Sequence, residues 1–192
     1  MPLYTYDGNY TSMSGWMWYT DNLDMVDEGW KLHVSGDAGN GQTILNAVLP
    51  VLQKGKYPHK FLKSTDDTAN QTGLQAGKFL AVYPSNIVEG FIIVGAIDHA
   101  LLNIGIGHHD CPCILKEKWV GHTVIYTRYG AFSGSLYHPT SDRYVDDTIG
   151  GLKPDWIEDP WSLYSPAPDL VAISRLKSWP IHSKKGHRRR GR

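Results

Sequence analysis

Lys31, His33 and Ser35 occupy alternate positions of the run Trp30-Lys31-Leu32-His33-Val34-Ser35. Side chains of a strand alternate between its two faces. The run therefore turns an ammonium, an imidazole and a hydroxyl one way, and Trp30, Leu32 and Val34 the other. Such a polar face could hold an anion and move a proton. The ordinary reading of the same pattern is an amphipathic edge strand with its polar side in water. What favours chemistry is that other β-prone runs also carry cations: Lys60, Lys78 and Arg128. A separate cluster, His108-His109-Asp110-Cys111-Pro112-Cys113, offers imidazole and thiolate, both zinc ligands. One run of six residues seldom supplies four tetrahedral ligands unaided, so a plain turn competes with a metal site there.

The elements that must position these groups read as an α+β domain with a mixed, mainly antiparallel sheet flanked by helices. Residues 1–28 are rich in Tyr, Trp, Met, Gly, Ser and Asp without clean periodicity and read as an irregular aromatic arm. After the loop Gly36–Asn40, the apolar stripe Ile44, Leu45, Val48, Leu49, Leu52 predicts a helix, which Pro50 should kink or shorten and Gly55 should stop. Strands follow at His59–Ser64 and Lys78–Tyr83. Between them the polar stretch Thr65–Gly77 is the candidate for a mobile substrate loop. Ile87–Ile104 has helical periodicity and few charges, and Thr123–Tyr129 is strongly β-prone, with Tyr126 and Arg128 on one face. The expected divisions are an arm over 1–28, a domain over 29–160, and a Pro-rich extension with a basic tail over 161–192.

Composition narrows the function classes. A chain of 192 residues can bury a real core, and seven Trp with eleven Tyr argue against disorder. The formal net charge is zero, so no global field steers the protein toward nucleic acid or a membrane surface. The run from Lys184 to Arg192 is a local basic tail without an aromatic platform, and a charge run of this kind is usually solvated. The only cysteines, Cys111 and Cys113, are too close for an easy structural disulfide. Without a signal peptide or a membrane-length apolar run, the expected location is the cytoplasm.

Four motifs in order carry a resemblance: Gly29-Trp30-Lys31-Leu32-His33-Val34-Ser35, His59-Lys60-Phe61-Leu62-Lys63-Ser64, Gly77-Lys78-Phe79-Leu80-Ala81-Val82-Tyr83-Pro84, and Tyr126-Thr127-Arg128-Tyr129-Gly130-Ala131-Phe132. Over roughly residues 29 to 160 the chain resembles the N-terminal lyase domain of class III lanthipeptide synthetases, itself similar to the phosphothreonine lyase effectors of bacterial pathogens. The resemblance implies a phosphothreonine-lyase-like fold. It implies elimination of phosphate from phosphoserine or phosphothreonine in a peptide, giving dehydroalanine or dehydrobutyrine, with no metal and no organic cofactor.

That reaction needs a base for the weakly acidic α-proton, an acid for the departing oxygen and cations for the dianion. By the resemblance Lys60 is the base and His33 the acid. Lys31, Lys78 and Arg128 bind phosphate, the last bidentately. Tyr83 and Tyr126 position the substrate or simply pack. The stretch Cys111–Lys118 resembles one that ends in Asp-Arg but carries Glu117-Lys118, so Lys118 keeps the cation and loses the fork. The family's arginine before the Gly77-Lys78 motif has no counterpart between Lys60 and Lys78; Gln71 or Thr72 falls there. The implied partners are a phosphorylated precursor peptide, a Ser/Thr kinase on another chain or in C-terminal domains missing here, and a cyclase. The alternatives are a non-catalytic phosphopeptide-binding module, or a secreted effector lyase acting on a host phosphoprotein.

Overall fold

The computed structural model describes residues 2–22, 24–132, 135–138, 140, 144–146 and 152–164. In chain order the elements are β1 (Tyr10–Met13), β2 (Trp16–Tyr19), β3 (Glu28–Ser35), α1 (Gly41–Lys54), β4 (His59–Leu62), α2 (Thr65–Ala69), β5 (Lys78–Val82), α3 (Ile87–Asn103), β6 (Lys118–Trp119), β7 (Ile125–Ala131), β8 (Ser135–Tyr137) and β9 (Tyr144–Asp146). Seven strands form one sheet in the order β1-β2-β4-β5-β3-β7-β6, while β8 and β9 form a separate ribbon. The chain is α+β as expected. The sheet is not mixed, however: every described pairing is antiparallel.

The two long helices lie together over one face. The stripe Ile44, Leu45, Val48, Leu49 and Leu52 of α1 is buried, as are Phe91, Ile93, Val94, Ile97 and Leu101 of α3. They share a core with Leu32 and Val34 of β3, Phe61 of β4, Leu80 and Val82 of β5 and Ile125 of β7. Burial of each such side chain is worth roughly 1.5–3 kcal/mol, so this face fixes the register and the opposite face is left for polar work. The helix α1 continues through Pro50 to Lys54. The expected shortening does not occur, because the residues flanking Pro50 are anchored in the core and Gly55 ends the helix as a C-cap.

Two stretches expected to be irregular are built. The first is a hairpin: β1 and β2 pair Met13 with Trp16 across Ser14-Gly15. Both turn residues have positive φ, 51° and 81°, the conformation that suits a two-residue connection to strand twist. This hairpin then pairs with β4 and extends the sheet. The second is Thr65–Gly77, which holds α2 and a 3₁₀ turn at Gly73–Gln75. Ser64 caps α2 by accepting from the Asp67 N–H, and Asp66 and Asp67 complement the positive helix start.

Past β7 the chain returns to the core: Trp161, in a 3₁₀ turn at Pro160–Leu163, packs its ring edge-on to Phe91 with centroids 4.8 Å apart. The basic run Lys184–Arg192, Gly134, Gly150-Gly151, Pro166 and Pro168 lie outside the described residues. Among the described residues no helix is long and apolar enough to cross a membrane.

Candidate active site

One rung of the sheet organises the polar face. His33 lies opposite Ala81 on one side and Tyr126 on the other, Ala81 lies opposite Lys60, and Lys60 opposite Trp18. Trp119 pairs with Tyr126 and completes the row. Residues directly opposed across strands present their side chains on the same face. Lys60 and His33 therefore stand on either side of Ala81, two strand spacings apart, roughly 10 Å between backbones. Alanine between them leaves a shallow floor bounded by the two titratable groups.

The neighbouring positions on the same face add cations. Lys31 lies opposite Arg128, and like charges placed directly opposite disfavour each other unless an anion comes between them. Lys78 arrives by a different route. Strict alternation would put it on the core face with Leu80 and Val82. The β3–β5 register shifts between Val34, opposite Leu80, and Ser35, opposite Lys78. The extra residue on β5 is Phe79, wholly buried against Tyr4 with ring centroids 5.3 Å apart. A bulge re-aims the side chains at and beyond it, so Phe79 turns into the core and Lys78 joins the row of His33 and Ser35.

A carboxylate, Glu117, ties two of these groups together. Its Oε2 lies 2.7 Å from His33 Nδ1 and its Oε1 2.9 Å from Lys78 Nζ. The Glu117 side chain is 1% exposed, that of His33 9% and that of Lys78 6%, so this charge network is shielded from water. Burial pushes the Glu117 carboxyl up, but His33 and Lys78 win and hold it down at about 2. For His33 the balance is opposite. Burial is the largest influence and lowers it, Glu117 opposes, and the nearby Lys78 and Lys31 lower it further. The neutral ring donates Nδ1–H to the carboxylate, and Nε2 is the nitrogen left for a ligand.

Lys60 stands in a different setting. Its Nζ lies 4.5 Å from the Trp16 ring centroid, 4.4 Å from Trp18 and 5.9 Å from Tyr83. Burial, then the charges of Lys31 and Lys78, lower its pKa from the ordinary 10.5 to about 8. A lysine there is neutral in a useful fraction of molecules near neutrality, as a proton acceptor must be.

The structure thus brings together Lys60, His33, Lys31, Lys78, Tyr126 and Arg128 on one face, with Tyr83 against Trp18 at the end of β5. It does not bring Lys118 there. Lys118 pairs with Thr127, which pairs with the core residue Leu32 on the opposite face, and its Nζ binds Asp159 Oδ2 at 2.7 Å. Glu117, one position earlier, reaches the site in its place. Sequence reasoning also missed Trp16 and Trp18, assigned to an irregular arm. The Ser14-Gly15 turn between alternating aromatics was the available signal.

The His/Cys cluster lies at the rim. The His108 ring packs tilted against Trp119 with centroids 4.0 Å apart, its Nε2 is 3.4 Å from the Tyr126 hydroxyl, and the Asn40 amide donates to Cys111 Sγ. Pro112 accepts a hydrogen bond from Ser35 Oγ at 2.5 Å, which docks the segment onto β3. Burial raises the Cys111 thiol to about 11. Among the described residues, no group of three or more His, Cys, Asp or Glu is arranged to hold a metal ion.

The family model described as "RamC, N-terminal domain" matches residues 9–178. A protein described as "Probable SapB synthase" from Streptomyces coelicolor is 29% identical over 119 residues, covering 58% of this chain and 12% of that relative. The chain thus matches only a small part of that relative's length.

Proposed function

The chain belongs to the RamC N-terminal domain family, and from that premise we propose that it eliminates phosphate from phosphoserine or phosphothreonine in a peptide. The product is dehydroalanine or dehydrobutyrine, and the setting is the biosynthesis of a lanthipeptide. The observation that carries this reading is the single rung on which Lys60 and His33 flank Ala81.

Elimination removes the α-proton, forms the Cα–Cβ double bond and breaks the Cβ–O bond. Neutral Lys60 takes the proton. A phosphate dianion entering among Lys31, Lys78 and Arg128 introduces negative charge beside His33, which raises its pKa and favours the imidazolium. Its Nε2–H then protonates the departing oxygen, so phosphate leaves as hydrogen phosphate, still a dianion. Glu117 holds Nδ1–H throughout and sets which nitrogen faces the substrate. The cations already meet the phosphate in the ground state, whereas the Lys60 proton transfer belongs to the transition state alone. Nothing in these steps calls on a metal or an organic cofactor. The substrate must be made by a Ser/Thr kinase, and the product is an electrophile that a cyclase could close with a thiol.

The test is to treat a synthetic phosphoserine peptide with the protein in the presence of a small thiol. Phosphate release accompanied by a thiol adduct on the peptide supports elimination. Release that leaves a serine with no adduct identifies hydrolysis, and tight binding without release identifies a phosphopeptide-binding module.

A further inference from the structure

The three rings around Lys60 come from both sides of the strand that carries it. Trp16 and Trp18 alternate on β2 and share a face, while Met17 between them is buried in the core. Trp18 pairs with Lys60 in the ladder. Its ring lies nearly parallel to that of Tyr83, 6° between planes and 5.8 Å between centroids. The hairpin carrying both tryptophans precedes the strands that hold the charged groups, and among the described residues its sheet partner beyond itself is β4.

We propose that Trp16 and Trp18 are positioning residues for Lys60: the β1–β2 hairpin clamps the lysine head against two ring faces and keeps water from it. This rests on the assignment of Lys60 as the base. A lysine side chain has four rotatable bonds, and an untethered one would sample many positions around the substrate carbon. Ring faces attract the ammonium, which fixes its place but also favours the charged form. Exclusion of water disfavours the charged form, and burial is the largest influence on this lysine. The rings therefore hold the head in place while leaving it ready to accept a proton. The charged and titratable groups facing the same space are Lys31, Lys78 and His33, with Glu117 bound to the last two, Arg128 opposite Lys31, and the Tyr83 hydroxyl.

The experiment follows the Lys60 Cε resonance against pH in protein labelled with ¹³C-lysine, the signal identified by its loss in Lys60→Arg. Parent, Trp16→Phe, Trp18→Ala and Trp18→Phe proteins are compared, and turnover of a phosphopeptide is measured across the same pH range. The expected result is a midpoint near 8 in the parent, moved toward the ordinary lysine range in Trp18→Ala and restored in part by Trp18→Phe. The turnover profile should shift to higher pH with it. At neutral pH kcat should fall about tenfold with KM nearly unchanged, since the neutral fraction of a base falls tenfold for each unit its pKa rises.

Should Trp18→Ala fail to fold, the two phenylalanine variants carry the comparison with smaller shifts in the same direction. Midpoints that stay put, or fall when a ring is removed, overturn the proposal. A shifted midpoint in proteins that never turn over phosphopeptide would leave the clamp standing and remove the lyase reading, so the two failures are distinguishable.

Discussion

His33 Nδ1 and Glu117 Oε2 lie 2.7 Å apart across 84 positions of sequence, both withdrawn from water. The carboxylate also binds Lys78, so one buried anion serves a neutral imidazole and an ammonium. Taking away the anion of a buried pair leaves its cation, here Lys78, charged and uncompensated, at about 3 kcal/mol or more. Glu117→Gln should therefore lower unfolding stability by about 3 kcal/mol and reduce turnover on the order of 10- to 100-fold. Chemical denaturation and steady-state kinetics check it. A variant as stable and active as the parent would show that Glu117 is incidental.

Stability should fall with acid in two windows. Burial lowers His59 from the ordinary 6.5 to about 4, with Nδ1–H given to the Tyr57 carbonyl and Nε2 accepting from Tyr10. A folded-state pKa below the unfolded one means that the unfolded chain takes up protons first, so stability declines as pH falls from about 6.5 toward 4. That decline is worth about 3 kcal/mol, and lowered His33 acts in the same direction. Glu117, lowered from 4.5 to about 2, adds a second decline between those values. Urea midpoints from pH 7 to 4 should drop, and His59→Gln should flatten the first window. Midpoints that do not change between pH 7 and 5 would contradict this.

Lys60→Ala and Arg128→Ala should fail differently. Loss of a base costs transition-state stabilisation, so Lys60→Ala should lower kcat about 10³-fold with phosphopeptide affinity within a few-fold. Arg128 would meet the phosphate already in the ground state, so Arg128→Ala should weaken binding and turnover together. Isothermal titration with a phosphopeptide, read beside kinetics, separates the two. Near-normal turnover by Lys60→Ala would remove it from the chemistry.

Lys118→Ala should leave phosphopeptide turnover within about twofold, because its side chain belongs to the opposite face and to Asp159. The pair is partly exposed, so the loss of stability should be below about 1 kcal/mol. A large loss of phosphate affinity in this variant would place Lys118 back at the site.

The alternation in Trp30–Ser35 and in Tyr126–Arg128 made the His33, Lys31 and Arg128 face legible from sequence, because one face of each strand had to enter the core. Lys78 is the instructive opposite. Alternation sends it inward with Leu80 and Val82, and only the bulge at Phe79 turns it back, a decision made by tertiary packing against Tyr4. Glu117 was passed over for Lys118 because β6 is two residues long, too short for a pattern to reveal which side chain faces which way. The tryptophans of β2 were lost with the hairpin, since four-residue strands show little periodicity of their own.

The central claim is tested most directly by the mass of a phosphoserine peptide after incubation with the protein in chelator, with Lys60→Ala run in parallel. The account predicts loss of the elements of phosphoric acid with the parent protein and an unchanged peptide with the variant. A product lighter only by the phosphoryl group, retaining the serine hydroxyl, would contradict it, as would equal elimination by Lys60→Ala.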